Sequence, residues 1–244
     1  MVRRKALGVR MMAGMAFVAG LFWVCSLNPE AVAIFASPVW AQTGATATST
    51  LPPVLLFSDD FATYSGRWRE FSSAKATVAY HDEALYMRVV APGVAVWSVP
   101  DFRAPLLNYQ IAARVRFNGG QRDGQAGLVT GYIDDEQFIA VLLTASGEVQ
   151  VLLRERSEWH TLAETTGKTA LPLGREAWLQ AELRSAAGSE TLTVFINGAR
   201  VAEVQLPTGS SRGTFGLIAR AGRGYVDVSF DNVVVTALSS AEEE

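Results

Sequence analysis

The sequence predicts an all-β protein of two stacked antiparallel sheets, and three observations carry that expectation. Apolar and polar residues alternate in successive runs up to Val226-Asp227-Val228-Ser229-Phe230-Asp231-Asn232. Half-buried strands require this alternation, because successive side chains point to opposite faces of a sheet. Turn residues separate the runs, and no window outside the N-terminal apolar segment carries a comparable 3.6-residue pattern.

The chain opens with Arg3, Arg4, Lys5 and Arg10, runs apolar from Met11 to Leu27, and reaches Val39-Trp40-Ala41 before Gln42. A basic start, an apolar middle and a small residue at the end match an export signal peptide, so residues 1–41 are read as one. Cleavage is placed after Ala41, with Ala33 as the second candidate. The alternative is a retained signal anchor, although an apolar run of about 17 residues is at the lower edge of what spans a bilayer. Cys25 is the only cysteine, and the bulky Phe22-Trp23-Val24 before it departs from the pattern of a lipid-modified cysteine. Export without disulfides fits a bacterial envelope or secreted protein.

Removing the four basic and one acidic side chains of the first 41 residues leaves 17 basic against 23 acidic, a net charge of −6. An acidic balance without Lys/Arg clusters argues against nucleic acid and against anionic lipid. Residues 42–53 are rich in Thr, Ala, Ser and Gly and end in Pro52-Pro53, a flexible linker. Residues 54–238 suit one domain of β-sandwich size, and 239–244 form a short acidic tail.

Within the domain, His81 is followed by Asp82-Glu83, a hairpin tip. Tyr109, Ile111, Ala113, Val115 and Phe117 share one strand face, and Gln110, Arg114 and Arg116 the other. Val149, Val151 and Leu153 alternate with Gln150, Leu152 and Arg154. Ala177, Leu179, Ala181 and Leu183 alternate with Trp178, Gln180, Glu182 and Arg184. Leu192, Val194 and Ile196 alternate with Thr191, Thr193, Phe195 and Asn197. Asn197-Gly198 is a two-residue hairpin signal, since both residues tolerate positive φ. Asn118-Gly119-Gly120 and Ser146-Gly147 punctuate other strand ends. About a dozen strands are too many for one twisted sheet, so a two-sheet jelly roll is expected.

Several segments, in order, resemble the concanavalin A-like lectin/glucanase superfamily. They include Phe57-Ser58-Asp59-Asp60-Phe61, Ser65-Gly66-Arg67-Trp68, Asp135-Glu136-Gln137-Phe138-Ile139, Trp159-His160-Thr161-Leu162, Val194-Phe195-Ile196-Asn197-Gly198 and Phe230-Asp231-Asn232-Val233. The resemblance is to the bacterial extracellular laminin-G-like, family-16-like and 3-keto-disaccharide hydrolase-like domains. It implies a concanavalin A-like jelly-roll sandwich of two curved sheets, with a glycan groove on the concave one in relatives that bind a glycan.

Relatives that hydrolyse β-glucans carry Glu-x-Asp-x-x-Glu or Glu-x-Asp-x-Glu, which sets a nucleophile and an acid about 5 Å apart. Neither string occurs here, so no catalytic residue is assigned. Asp134-Asp135-Glu136 reads as a solvated turn, and Asp227 and Asp231 as structural. His81 and His160 lack the spacing of a zinc site, and no nucleophile elbow or phosphate-cradling loop occurs. Binding is the better reading, since sugars stack C–H faces on aromatic rings while polar side chains address hydroxyls. The candidate carbohydrate-binding residues are Trp97, Arg116, Tyr132, Arg154 and Trp159, with Trp178, Arg114 and Gln150 also facing outward. Their alternative role is cover for the core edge.

The resemblance sets the two termini side by side and implies a structural Ca2+ near Asp60 and Asp231; otherwise these carboxylates accept from backbone N–H groups at strand ends. No other cofactor is expected. The expected partner is a polysaccharide or glycoconjugate, with no nucleic acid, and a membrane only where the N-terminal segment is retained. The expectation is a secreted, periplasmic or cell-surface non-catalytic carbohydrate-binding module. One alternative is a glycoside hydrolase of the 3-keto-disaccharide or family-16-like type, using carboxylates such as Glu148 and Glu182. The other is a structural or protein-interaction module of the envelope.

Overall fold

The computed structural model describes residues 53–102, 104–166, 174–186 and 188–239. The expected signal peptide, the linker before Pro53 and the tail beyond Ser239 lie outside the described residues. Fifteen strands follow in chain order. The first five are β1 (Val54–Asp59), β2 (Phe71–Ser72), β3 (Ala76–His81), β4 (Ala84–Val89) and β5 (Ala95–Ser98). Next come β6 (Tyr109–Gly120), β7 (Gln125–Asp134), β8 (Gln137–Thr144), β9 (Val149–Glu155) and β10 (Glu158–Thr165). The last are β11 (Glu176–Ala186), β12 (Ser189–Ile196), β13 (Ala199–Leu206), β14 (Thr214–Arg220) and β15 (Val226–Ala237). Among the described residues there is no helix, and none long and apolar enough to cross a membrane.

The strands pair antiparallel in two sheets. The nine-stranded sheet runs β13-β12-β11-β6-β15-β4-β3-β2, with β1 also on β15; the six-stranded sheet runs β10-β9-β8-β7-β14-β5. One apolar core lies between them, with Tyr109, Val115, Phe117 and Phe230 from the larger sheet meeting Leu128, Val141, Phe215 and Leu217 from the smaller. The alternation in β6 is realised: Tyr109, Ile111, Ala113, Val115 and Phe117 are all buried, while Arg114 and Arg116 are exposed.

The centre of the six-stranded sheet departs from alternation. Every residue from Phe138 to Thr144 is buried, so β8 has cover on both faces. The continuous apolar run Phe138-Ile139-Ala140-Val141-Leu142-Leu143 is the sequence form of that condition. Close strand contact here requires Gly127, where a Cβ would overlap the Val141 carbonyl.

The turns follow backbone chemistry. Asn197 (φ 52°) and Gly198 (φ 80°) take the left-handed conformation between β12 and β13, as a two-residue hairpin requires. Asp82 and Glu83 do the same without glycine, as do Arg156 and Ser157. Asn118-Gly119-Gly120 forms the end of β6, with Gly119 opposite Asp227 and Gly120 opposite Val226. Glycine is required at 120 because a Cβ would lie 2.5 Å from the Tyr225 carbonyl oxygen. In β15, Asn232 (φ 50°) is the extra residue of a bulge between Asp231 and Val234. The bulge turns Val233 and Val235 into the core after Val226, Val228 and Phe230.

Asp59 ties the first loop to this core. Its Oδ1 accepts from the Phe61 N–H (2.9 Å), and its Oδ2 accepts from Ser65 Oγ (3.0 Å) and Trp68 Nε1 (3.1 Å). Phe57 packs against Trp68 and Phe215, with centroids at 6.0 and 5.0 Å. Asp59→Ala strands two buried donors and is expected to cost about 3 kcal/mol in urea unfolding. Gly127→Ala is expected to lose about 3 kcal/mol by overpacking; a wild-type midpoint in either variant contradicts the contact behind it.

Candidate functional site

The outer face of the six-stranded sheet, turned away from the shared core, carries a second apolar cluster. Val129, Phe138, Ala140, Leu142, Leu152 and Ile218 are buried there, with Ala95, Trp97, Tyr132 and Trp159 packed against them. Strand register brings the large side chains to one end. Phe138 of β8 lies opposite Arg154 of β9, and Arg154 lies opposite Trp159 of β10. Tyr132 arrives through an irregularity in β7 between Thr130 and Asp134, where Gly131 takes a positive φ of 59°.

Phe138 is the hub. Its ring centroid lies 5.0 Å from Trp97, 5.8 Å from Tyr132 and 5.6 Å, edge-on, from Trp159. The Arg154 guanidinium carbon sits 5.2 Å from the Trp97 ring centre and 5.0 Å from that of Trp159. Two indoles therefore hold one cation by cation–π attraction. Arg154 Nε also donates to the Asp135 carbonyl at 2.8 Å.

Asp135 fixes the rings. Its Oδ1 accepts from Trp97 Nε1 at 2.7 Å and from the Tyr132 hydroxyl at 2.9 Å, and Arg69 approaches Oδ2 at 3.6 Å. Partial burial works to raise the Asp135 pKa, but these donors and the Arg69 charge outweigh it, and the carboxyl lies below its ordinary value. Burial, then the hydrogen bond to Asp135 and its charge, push the Tyr132 phenol up to about 12.

Of the residues expected to bind carbohydrate, Trp97, Tyr132, Arg154 and Trp159 thus come together. Arg116 does not. It lies on β6 in the other sheet, where its Nε donates to Asn118 Oδ1 at 3.0 Å. Trp178 and Arg114 share that sheet, because alternation separates inner from outer faces without saying which sheet a strand joins. Asp135, Phe138 and Arg69 were not expected. In the sequence Asp135 reads as a solvated turn residue; the unbroken apolar run after it is the available sign of a covered outer face.

Asp60 and Asp231 line different cavities, of about 320 and 130 Å³. Asp60 Oδ1 accepts from the Ala62 N–H at 3.1 Å and Asp231 Oδ1 from the Asn232 N–H. Among the described residues no three His, Cys, Asp or Glu side chains are grouped as metal ligands. Glu148 precedes β9 in the six-stranded sheet and Glu182 lies on β11 in the nine-stranded one, so the structure does not bring them together.

No protein-family model matches the chain, and no curated protein matches its sequence. The likeness is in three dimensions. The carbohydrate-binding module CBM66 of Bacillus subtilis matches with a TM-score of 0.55 and 16% identity, over 70% of this chain and 95% of its own. A Bacillus subtilis protein of unknown function with a galectin-like fold gives 0.56 and 12%, over 75% and 96%. The catalytic domain of an endo-1,3-β-glucanase (laminarinase) from Thermotoga petrophila gives 0.53 and 9%, over 78% and 99%. The chain shares their fold. A sugar binder and a sugar-cleaving domain both stand on that scaffold, so function rests on the side chains of the site.

Tyr132 offers a direct check. Its folded pKa lies above the ordinary 10, so the neutral phenol's contribution to stability is complete below about pH 10 and lost as pH climbs toward about 12. Absorbance-monitored alkaline titration, taken as wild type minus Tyr132→Phe, is expected to show one phenol titrating near 12. Asp135→Asn should move that step down. A Tyr132 step at the ordinary value contradicts this geometry.

Proposed function

We propose that the chain is an exported, non-catalytic carbohydrate-binding module of the concanavalin A-like jelly-roll type. It holds a polysaccharide or glycoconjugate on the outer face of its six-stranded sheet. The observation that carries this reading is Arg154 clamped between Trp97 and Trp159 over Phe138. Both indoles are half-buried and keep exposed surface, and the C–H face of a sugar stacks on such rings. Asp135 and Phe138 already fix their orientation, so little side-chain freedom is lost on binding. The arginine and the tyrosine hydroxyl supply polar partners for ring hydroxyls. The fold shared with CBM66 supports the reading, as does the basic and apolar N-terminal segment for export. A sheet face leaves much of a sugar in water, so affinity is weak, in the micromolar to millimolar range (~ −8 to −4 kcal/mol).

Affinity electrophoresis in gels containing a panel of soluble polysaccharides tests this. Trp159→Ala is expected to weaken retention about tenfold in the gels that retain the wild type. Trp178→Ala, on the opposite sheet, is expected to leave it unchanged. Equal retention of wild type and Trp159→Ala overturns the placement.

A further inference from the structure

The far end of the same outer face is polar and differently built. Arg220 of β14 lies opposite Gln125 of β7 on one side and Ala95 of β5 on the other. Gln125 Nε2 donates to Gln150 Oε1 at 2.7 Å, reaching over β8, and Gln150 Nε2 donates to Glu164 Oε1 at 2.9 Å. This orientation of the amides leaves Gln125 Oε1 as an acceptor on a residue that shares the cavity with Arg220. Arg220, Gln125 and Gln150 line an open cavity of about 300 Å³, together with Gly93, Asp123 and Gly222.

Arg220 is half-buried. Among the described residues no carboxylate pairs with it and no hydrogen bond or ring contact engages it. A guanidinium stays charged at any ordinary pH, and removing it from water without a counter-charge costs free energy. The carboxylate sharing its cavity, Asp123, is committed to Arg223 through one oxygen. Its Oδ2 accepts from the Arg223 N–H at 3.1 Å and from Arg223 Nε at 2.9 Å, while its Oδ1 is buried without a hydrogen-bond partner among the described residues. Glu164 lies on β10, the far edge of the sheet, and accepts from Gln150.

We infer that the glycan held by this face is anionic, with a carboxylate or sulfate of one sugar unit bound at Arg220 and a neighbouring hydroxyl donating to Gln125 Oε1. The inference rests on the binding reading above and names its ligand class. Arginine matches such anions by paired N–H donors. The row holding Phe138, Arg154 and Trp159 and the row holding Thr144, Gln125 and Arg220 are six residues apart along β8, or roughly 20 Å. One extended chain of several sugar units thus reaches both ends, stacking at the indoles and neutralising the arginine.

The test compares the full chain, Arg220→Gln, Arg220→Lys and Trp159→Ala in gels containing polygalacturonate, chondroitin sulfate or laminarin. The first two polymers are acidic and the third neutral. The expected result is retention by an acidic polymer that falls about tenfold in Arg220→Gln, recovers in part in Arg220→Lys, and weakens with added salt. Trp159→Ala is expected to weaken retention by every polymer that holds the wild type. Retention by laminarin alone, or acidic retention unaltered in a folded Arg220→Gln, overturns the anionic ligand and leaves the binding reading standing. A wild-type chain retained by none of the three overturns the anionic ligand, and failure across the wider panel overturns the binding reading.

Discussion

The buried ring of Phe138 is the constraint on which the outer face depends. A sandwich needs only one dry face per sheet, the one turned to the shared core. Here β8 has two, and Phe138 belongs to the second. Burying a phenylalanine contributes about 1.5–3 kcal/mol, but only where neighbours cover it, and Trp97, Tyr132 and Trp159 are among those neighbours. The rings that form the candidate site therefore also complete an apolar cluster. That double role explains why they are half-buried and fixed.

Carboxylates fasten the loops around this framework by one recurring device: each accepts several donors that folding would otherwise strand. Asp59 takes Phe61, Ser65 and Trp68 beside the first strand. Glu190 takes the Gly209 and Ser211 N–H groups, both at 2.8 Å, and holds the loop between β13 and β14. Asp135 takes two side-chain donors, and these belong to rings of the candidate site. At Glu190 and Asp135 burial alone would raise the pKa, yet the donors more than offset it and the net shift is downward. Glu190 and Asp135 therefore contribute stability above their ordinary pKa, and the contribution fades as pH falls through the lowered folded value.

Most of the inward-facing surface was legible in the sequence. The two-residue period of β6, β11 and β12 needs only local geometry, and Asn197-Gly198 announces its turn because glycine and asparagine tolerate positive φ. Arg156-Ser157 makes the same kind of turn with residues that carry no such signal. Four of the five expected sugar contacts assemble because they are large, outward and borne by strands of one sheet. Arg116 fails the third condition, and partnership between strands far apart in sequence is not written in periodicity. Asp135 was missed for a related reason: a turn aspartate looks solvated until the strand bearing Trp97 is known to lie within hydrogen-bond reach.

The two outer faces differ in how they handle charge, and that difference supports the six-stranded sheet as the proposed binding face. On the nine-stranded sheet the polar groups answer one another. Arg114 pairs with Glu176, Arg116 binds Asn118, Asn118 binds Ser229, and Tyr86 donates to Asp227. A ligand there must break contacts that already satisfy their members, and its own polar groups return little net free energy. On the six-stranded sheet Arg154 is satisfied at one end, yet its two indoles keep an accessible face. At the other end Arg220 is partly desolvated beside an amide acceptor. The proposed partner, carrying apolar C–H surface and a compensating charge, matches both places. Arg116 points outward on a regular strand of the other sheet, where its Nε donates to Asn118 Oδ1, away from the aromatic cluster.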